Sequence, residues 1–462
     1  MSAKAVDMTE GSLGKKILLF SLPLMLSNVL QILFTMADVA VVGRFAGALA
    51  LGSVGSTTTL VMLFTGFLVG VGAGINVLVA RFCGARDERN ARETVHTAAI
   101  LSLLIGLAVM GVGEGLTRPL LELLGTKPDL IEGAVLYLQI YFLGLPALAL
   151  FNFGNAVLSA VGDTKRPLLY LSFSGVLNVI LNLVFVISLH MGVAGVALAS
   201  IISQYLSALL VILSLLRDKG LHELRLRCLR LHPDKALRLL GLCIPAACQN
   251  AIFHVANLFI QAGVNTFDTT VVAGNSAAAN ADGLVYDVMA AFYTAGSSFM
   301  SQNYGAGKRE RILKSYYISL AYSFTAGAAL GLLLVIFGRP FLSLFATEEP
   351  VIEAGMIRLS VMGLSYGVSA FMDASIAASR GIGKSLWPTA IVIMGSCVFR
   401  VIWVYTVFAY FGTMQSLYLL YVFSWSITAV AEILYFARCY RKLIQPPLPE
   451  TNPITAPTEE TT

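Results

Sequence analysis

Residues 17–45, ILLFSLPLMLSNVLQILFTMADVAVVGRF, form an apolar run that is long enough to cross a lipid bilayer and holds one acidic residue, Asp38. A bilayer core of roughly 30 Å needs about 20 apolar residues in an α-helix. The run follows Lys15 and Lys16 as a signal peptide would, but it is longer than a signal-peptide core and ends without a small-residue cleavage site. We therefore expect a retained membrane-spanning helix.

The whole chain has the composition of a membrane protein. Of its 462 residues 57% are hydrophobic and 12% are charged, with a mean hydropathy of +0.79, whereas soluble domains carry about 25% charged residues. The apolar segments do not alternate in polarity, which excludes a β-barrel. We predict an all-α integral membrane protein with twelve transmembrane helices. The predicted spans are 16–42, 54–80, 93–113, 131–157, 167–190, 193–216, 237–264, 271–300, 312–337, 351–378, 385–411 and 415–438.

The distribution of basic residues predicts the orientation, because loops rich in Lys and Arg stay in the cytoplasm. With the N-terminus inside, most of the 31 Lys and Arg residues fall on inner segments, against Arg44, Arg118, Lys127 and Arg339 on outer ones. Both termini should be cytoplasmic in a multi-pass protein of the cell (inner or plasma) membrane. The net charge of +5 follows from this bias, so we expect membrane lipids and no nucleic acid as partners, and a monomer.

No motif for an enzyme, a metal site or a cofactor is found. The six cysteines include no C-x-x-C pair, and the chain has no H-E-x-x-H, Walker A or G-x-S-x-G motif. We expect a protein that is not an enzyme and that carries no resident metal or cofactor.

The two halves of the chain repeat one another. LFSLPLML around Pro23 matches GLCIPAAC around Pro245, and FLGLPALALFNFGNAVLSAVGDTKRP matches VMGLSYGVSAFMDASIAASRGIGKSLWP, at a shift of about 220 positions. Six helices per repeat give both copies the same orientation, related by an axis along the membrane normal. We predict lobes at 1–216 and 239–442, a basic cytoplasmic linker at 217–238 and a disordered tail at 443–462. Two such lobes enclose a central cleft, which suits alternating access.

Polar residues inside the spans are candidates for function, because they are costly in a bilayer. Asp38 shares a helix face with Ser27, Gln31 and Phe34, within about 40°, and Pro23 on the same helix lacks an N–H and can kink it. Helix depth should bring Asp38 close to Asn178 and Asn182 of the fifth span and Ser200 of the sixth. Such oxygen-rich groups can hold a proton or a small hard cation. The alternative is that the amides only join helices.

The eighth span is the least apolar. Its Asp282 lies on one face with Asn275, Tyr286, Met289 and Tyr293, whereas Asp287 points about 140° away. We expect one aspartate to line the cleft and the other to pair inside the lobe, where Arg400 is the natural partner of a buried acid. His254, Arg358 and Glu432 are given ordinary structural roles. The second lobe would then hold a charge network of Asp287, Asp373 and Arg400. A cleft for flat hydrophobic cations, in which about half of the side chains serve for packing, would comprise Gln31, Phe34, Phe64, Phe67, Asp282, Tyr286, Met289 and Tyr293.

Several motifs together resemble the multidrug and toxic compound extrusion (MATE) transporters over roughly residues 12–442. They are DVAVVGRF after the first-helix proline, the GAR and YGAGKRERI turns, and the AVGDTKRP and SRGIGKSLWP turns. The eighth span, AGNSAAANADG…SSFMSQNYGAG, is similar to a bacterial branch of that family.

The resemblance implies export of amphipathic, often cationic organic compounds in exchange for protons or sodium ions. It assigns cation coupling to Asp38. It also implies a supporting site that consists of Asn178, Asn182 and Ser200. At the position of Asn182 the family often has an aspartate. The missing charge favours H+ over Na+ as the coupling ion. The alternative function is a flippase for a lipid-linked or polyprenyl precursor, which needs a wide basic cleft; Arg400 is the one arginine expected at mid-membrane depth.

Overall fold

A computed structural model of the chain describes residues 6–218, 220 and 222–444, and within these ranges all regular structure is helical. The first half contains α1 (Leu13–Ala46), α2 (Ala48–Gly84), α3 (Glu88–Leu123), α4 (Pro128–Phe142), α5 (Leu145–Ala160), α6 (Lys165–Ser188) and α7 (Gly192–Arg217). The second half contains α8 (Pro233–Val264), α9 (Thr269–Gly305), α10 (Arg309–Ile336), the short α11 (Gly338–Leu342), α12 (Glu349–Gly381), α13 (Leu386–Phe411) and α14 (Met414–Ile444).

The predicted all-α membrane fold is confirmed. Ten of the described helices are long and apolar enough to span a bilayer, and α4 and α5, bent by 46°, together form an eleventh span. Helix α9, at the position of the predicted eighth span, is 37 residues long but less apolar than these helices. A helix that packs on several protein neighbours needs less apolar surface than one that faces lipid, and α9 contacts α1, α2, α10 and α12.

The linker between the halves is shorter than the predicted 217–238, because α8 already begins at Pro233. The linker lies on α3, where the backbone N–H of Arg225 donates to His96 Nε2 (3.1 Å) and that of His232 donates to Thr97 Oγ1 (3.2 Å). At the other end, α14 runs to Ile444. The rest of the predicted disordered tail lies outside the described residues.

The first helix of each half packs on the opposite lobe over its initial turns. Ile17 and Phe20 of α1 form a buried cluster with Ala295 and Phe299 of α9. In the same way Leu239, Leu242, Cys243 and Ala247 of α8 join the core of the first lobe. This exchange joins the two lobes at one end of the bundle, which carries residues 6–12 and the turns 85–87 and 306–308. We call it the basic end.

Three glycines allow α2 and α8 to approach closely. Gly66, Gly70 and Gly74 are spaced four residues apart on one face of α2, as in small-residue interfaces of membrane helices. A Cβ atom at Gly70 would lie 2.5 Å from Cα of Ala247, and one at Gly74 would lie 2.7 Å from Cα of Cys243. Side chains at these positions would therefore push the lobes apart.

Hydrogen bonds complete the junction at the basic end. Ser298 Oγ of α9 donates to Asn76 Oδ1 of α2 (2.8 Å), and Gln302 Nε2 donates to the backbone oxygen of Ala160 (2.7 Å). The backbone oxygen of the fully buried Met8 accepts from Asn303 Nδ2 (3.1 Å). Among the described residues, every hydrogen bond between the lobes lies between the basic end and the middle of the helices.

We expect Gly70→Val to weaken this junction, because the added side chain meets the backbone of Ala247. Overpacking of this kind costs about 1–3 kcal/mol, so the melting temperature of the purified protein should fall. A disulfide between cysteines introduced at Asn76 and Ser298 in a cysteine-free background should form in lower yield. Gly55→Val is the matched control, since a Cβ atom at Gly55 of the same helix meets nothing within 4 Å. Unchanged stability and cross-linking in Gly70→Val would contradict the prediction.

Candidate functional site

The first lobe brings together the four polar residues predicted for cation coupling. Asn182 Nδ2 donates to Asp38 Oδ1, and Ser200 Oγ lies 3.5 Å from Asp38 Oδ2. Asn182 Nδ2 also lies 3.3 Å from Asn178 Oδ1. Helices α1, α6 and α7 thus each contribute to one polar cluster, which we call the Asp38 site.

The local sequence explains why α1 and α6 meet at this depth. A Cβ atom at Gly175 would overlap the ring of Phe34, so the glycine lets α1 lie directly on α6. Asp38 is one turn beyond Phe34, and Asn182 is two turns beyond Gly175. Both helices then continue as π-helical turns, Val42–Ala46 and Val184–Ser188, which contact each other. Such turns are frequent at functional sites.

The Asp38 site has no basic residue. No described Lys, Arg or His forms an ion pair with Asp38, which is half-buried, and the described hydrogen-bond donors to its carboxylate are a neutral amide and a hydroxyl. Asn182 Oδ1 is buried without a described partner. A carboxylate in such surroundings is costly unless a positive charge joins it. The oxygens of Asp38, Asn178, Asn182 and Ser200 form a donor set that fits a proton or a small hard cation.

In the second lobe Asp282 is half-buried and paired within its own lobe. It forms an ion pair with Arg358 of α12, which is 6% exposed, and accepts a hydrogen bond from the Tyr366 hydroxyl. Arg358 Nη1 donates to Asn275 Oδ1 (2.6 Å), which also accepts from the Tyr418 hydroxyl (3.0 Å). The structural role given to Arg358 was right, but the sequence did not identify its partner.

The predicted charge network of Asp287, Asp373 and Arg400 is not formed by direct contact. Arg400 forms no ion pair within the described ranges; its Nη1 donates to Asn257 Oδ1 (3.3 Å), and its guanidinium lies 4.7 Å from the centre of the Tyr421 ring. Asp373 is buried in the same lobe, and one of its carboxylate oxygens has no described partner. Arg400 and Asp373 nevertheless interact electrostatically, so the pairing of Arg400 with a buried acid stays a prediction.

Several of the predicted cleft residues pack inside the lobes. Phe64 is buried and lies edge-to-face on Phe142, with ring centres 4.8 Å apart. Phe34 lies on Gly175, and Met289 is fully buried inside the second lobe. The burial of Phe64 and Met289 fits a packing role, whereas Phe34 is half-buried and its place in the cleft stays a prediction. Of the other aromatic residues, Phe67 is half-buried beside the cores of the first lobe.

Gln31 and Tyr286 are the clearly exposed members of the predicted set, and Tyr293 is half-buried against Tyr286, with ring centres 6.3 Å apart. His254 lies close to Gly66 at the lobe junction. Glu432 is fully buried in α14, and neither of its carboxylate oxygens has a described partner. Pro23 is buried inside α1, where its carbonyl oxygen accepts from Ser27 Oγ (2.9 Å).

The face of α9 that points to the first lobe is not the one predicted. Ser298 of α9 contacts Asn76 of the first lobe. On a helical wheel, a residue whose side chain points within about 20° of the direction of Ser298 or of Asp287 lies on the same side of α9. Outward from Ser298 this side carries exposed polar groups and the half-buried Asp287. We call it the α9 polar stripe, composed of Ser276, Asn280, Asp287 and Thr294. The sequence indicates this stripe by polar residues that recur at helical spacing. The predicted cleft uses the face of Asp282 instead.

Several known proteins are similar to this chain in sequence or in fold. A probable multidrug resistance protein of Bacillus subtilis, YpnP, is 29% identical over 363 residues, which cover 79% of this chain and 81% of that protein. A FAD transporter of Shewanella oneidensis is 25% identical over 360 residues, covering 77% and 79%. An outward-facing multidrug resistance MATE transporter of the MOP superfamily superimposes with a TM-score of 0.87 at 22% identity, covering 96% and 99% of the two chains.

A profile of the MatE family matches residues 23–184 and 245–406. The two matched segments begin at Pro23 and Pro245, the prolines that head the two predicted repeats. With the two-lobed fold, the multiple membrane spans and these relatives, the match shows that the chain belongs to the MatE family of multidrug efflux transporters.

Proposed function

We propose that the protein is a secondary active antiporter that exports amphipathic organic cations in exchange for protons, by alternating access of its two lobes. The observation that carries this proposal is the Asp38 site, where a carboxylate inside the membrane has neutral partners and no basic residue. An uncompensated charge of this kind is a natural binding place for an incoming proton.

Proton binding would rearrange the contacts between α1 and α6. A protonated Asp38 donates a hydrogen bond instead of only accepting them, and the buried Asn182 Oδ1 has no described partner at present. Rotation of the Asn182 amide would present this oxygen to the new donor. Protonation drives a conformational change only by stabilising one state more than another. The rearranged α1 would bend where Pro23 leaves a main-chain acceptor unpaired.

The arrangement of the lobes supports alternating access. By the positive-inside rule the basic end lies in the cytoplasm, together with both chain termini. Lobes that are joined at this end correspond to a state open to the outside. To open inwards, the protein would separate Gly70 from Ala247 and Ser298 from Asn76, and it would bring the outer halves together. The proposed location is the cell membrane.

A second candidate is the export of an anionic nucleotide cofactor, because one relative is named a FAD transporter. An anionic substrate, or the lipid pyrophosphate of a flippase, needs basic groups on the cleft wall. Arg358 and Arg400 are buried in their own lobe with partners there. This arrangement favours a cationic substrate over both alternatives.

We expect Asp38→Asn to abolish proton-driven export, because an amide cannot take up the proton. The measurement is efflux of ethidium from proteoliposomes under an imposed pH gradient, compared with an imposed sodium gradient and with neither. The melting temperature should stay close to that of the wild type. Asp129→Asn, an exposed site in the same lobe, is the control and should retain full efflux. Full export by a well-folded Asp38→Asn would refute the coupling role of Asp38.

We expect Asn182→Asp to make the Asp38 site responsive to sodium, because a second carboxylate supplies the charge that a hard cation prefers. Ethidium efflux driven by a sodium gradient at equal pH should appear or rise in this variant. Asn265→Asp, at the exposed end of α8, is the matched control and should leave the ion dependence unchanged. Sodium-driven efflux that is as strong in the wild type as in Asn182→Asp would contradict the preference for protons.

A further inference from the structure

The α9 polar stripe faces the first lobe in the half of the molecule where the lobes are not joined. At its inner end Ser298 is fully buried on Asn76 of α2. Further out, Thr294, Asn280 and Ser276 are exposed. The side of α9 that serves as the lobe junction near the basic end therefore continues outward as a polar wall whose described side-chain hydrogen bonds stay within the helix.

Asp287 lies where the junction ends and this wall begins. Its backbone oxygen accepts from Asn28 Nδ2 of α1 (3.0 Å), one of the outermost hydrogen bonds between the lobes among the described residues. No described hydrogen bond or ion pair reaches its carboxylate. The side chain is half-buried, so it offers a negative charge at the base of the opening between the lobes.

The other acids at membrane depth are engaged or enclosed. Asp282 is paired with Arg358, and Asp38 is held by the amide and hydroxyl of its own site. Asp373 and Glu432 are 6% and 0% exposed inside the second lobe. Within the described ranges, Asp287 is thus the acid of the second lobe's spans whose charge is both uncompensated and turned towards the other lobe.

We propose that Asp287 binds the positive charge of the transported compound and gives the protein its preference for cations. This inference rests on the proposed export function and names the residue that recognises the substrate. A cationic ligand would compensate the carboxylate in surroundings of low dielectric, where such a pair is stronger than in water. A neutral compound would leave the charge unpaired, and an anionic one would be repelled.

The surroundings of Asp287 define the shape of the ligand. Gly283, one turn outward, is exposed, and a Cβ atom there would meet nothing within 4 Å. The glycine leaves room for a flat ring system above the carboxylate, beside the exposed side chain of Leu284. Asn280 follows at about 10 Å from Asp287 along the helix, at 1.5 Å per residue. The expected ligand is a planar hydrophobic cation with a polar group at its far end.

The test is equilibrium binding of ethidium to the purified full-length protein, followed by fluorescence anisotropy. Asp287→Asn should raise the Kd by about tenfold or more, as for loss of one charge pair, and Asp287→Glu should bind nearly as the wild type does. The surface control Asp129→Asn should retain ethidium binding, and every variant should retain binding of the uncharged probe Nile red. A Kd for ethidium within about twofold of the wild type in a folded Asp287→Asn would overturn the proposal.

A second variant avoids dependence on the folding of Asp287→Asn. Gly283→Leu fills open space without displacing a neighbour and favours the helix, so it should fold and weaken ethidium binding; unchanged binding would overturn the proposal.

Efflux assays separate this inference from the proposed function. If Asp287→Asn exports ethidium as the wild type does, the function stands and the inference fails. If the wild type exports FAD and no cation under any gradient, both fail.

Discussion

The close approach of α2 and α8 is the constraint on which the arrangement of the two lobes depends. Two glycines four residues apart, Gly70 and Gly74, let the backbones of the two helices touch near the basic end. Because lipid is as apolar as the helices, such contacts rely on packing and not on the hydrophobic effect. An interface of this kind can separate and re-form at modest cost, which is what alternating access requires. It also fixes which half of the molecule is closed.

The two lobes solve the problem of a buried carboxylate in opposite ways. Asp282 is neutralised by Arg358 within its own lobe, and the tyrosine and asparagine around the pair satisfy its remaining hydrogen bonds. Asp38 has neutral partners only. A permanently paired acid has little reason to bind a mobile cation, whereas an unpaired one does. The repeat in the chain therefore preserves the scaffold while the chemistry of the lobes differs.

Helix α1 links the lobe junction at the basic end, the backbone of Asp287 and the Asp38 site. Its initial turns belong to the cluster with α9, Asn28 contacts the backbone of Asp287, and Asp38 near its outer end belongs to the polar site of the first lobe. Asn28 and Asp38 are about 15 Å apart along the helix axis, at 1.5 Å per residue. A movement of α1 would thus reach both the Asp38 site and the base of the opening between the lobes, although the two sites share no side chain.

The sequence by itself determined the all-α membrane architecture, the twofold repeat and the meeting of Asp38 with Asn178, Asn182 and Ser200. Hydropathy fixes where a helix crosses the membrane, and helix direction then fixes the depth of each residue. Only the tertiary structure decided how each helix is rotated. It paired Asp282 with Arg358, buried Met289 in the second lobe and left Asp287 half-buried without a described ion pair. The rotation of a helix depends on how closely small and large side chains fit those of its neighbours, and neither hydropathy nor helical spacing contains that information.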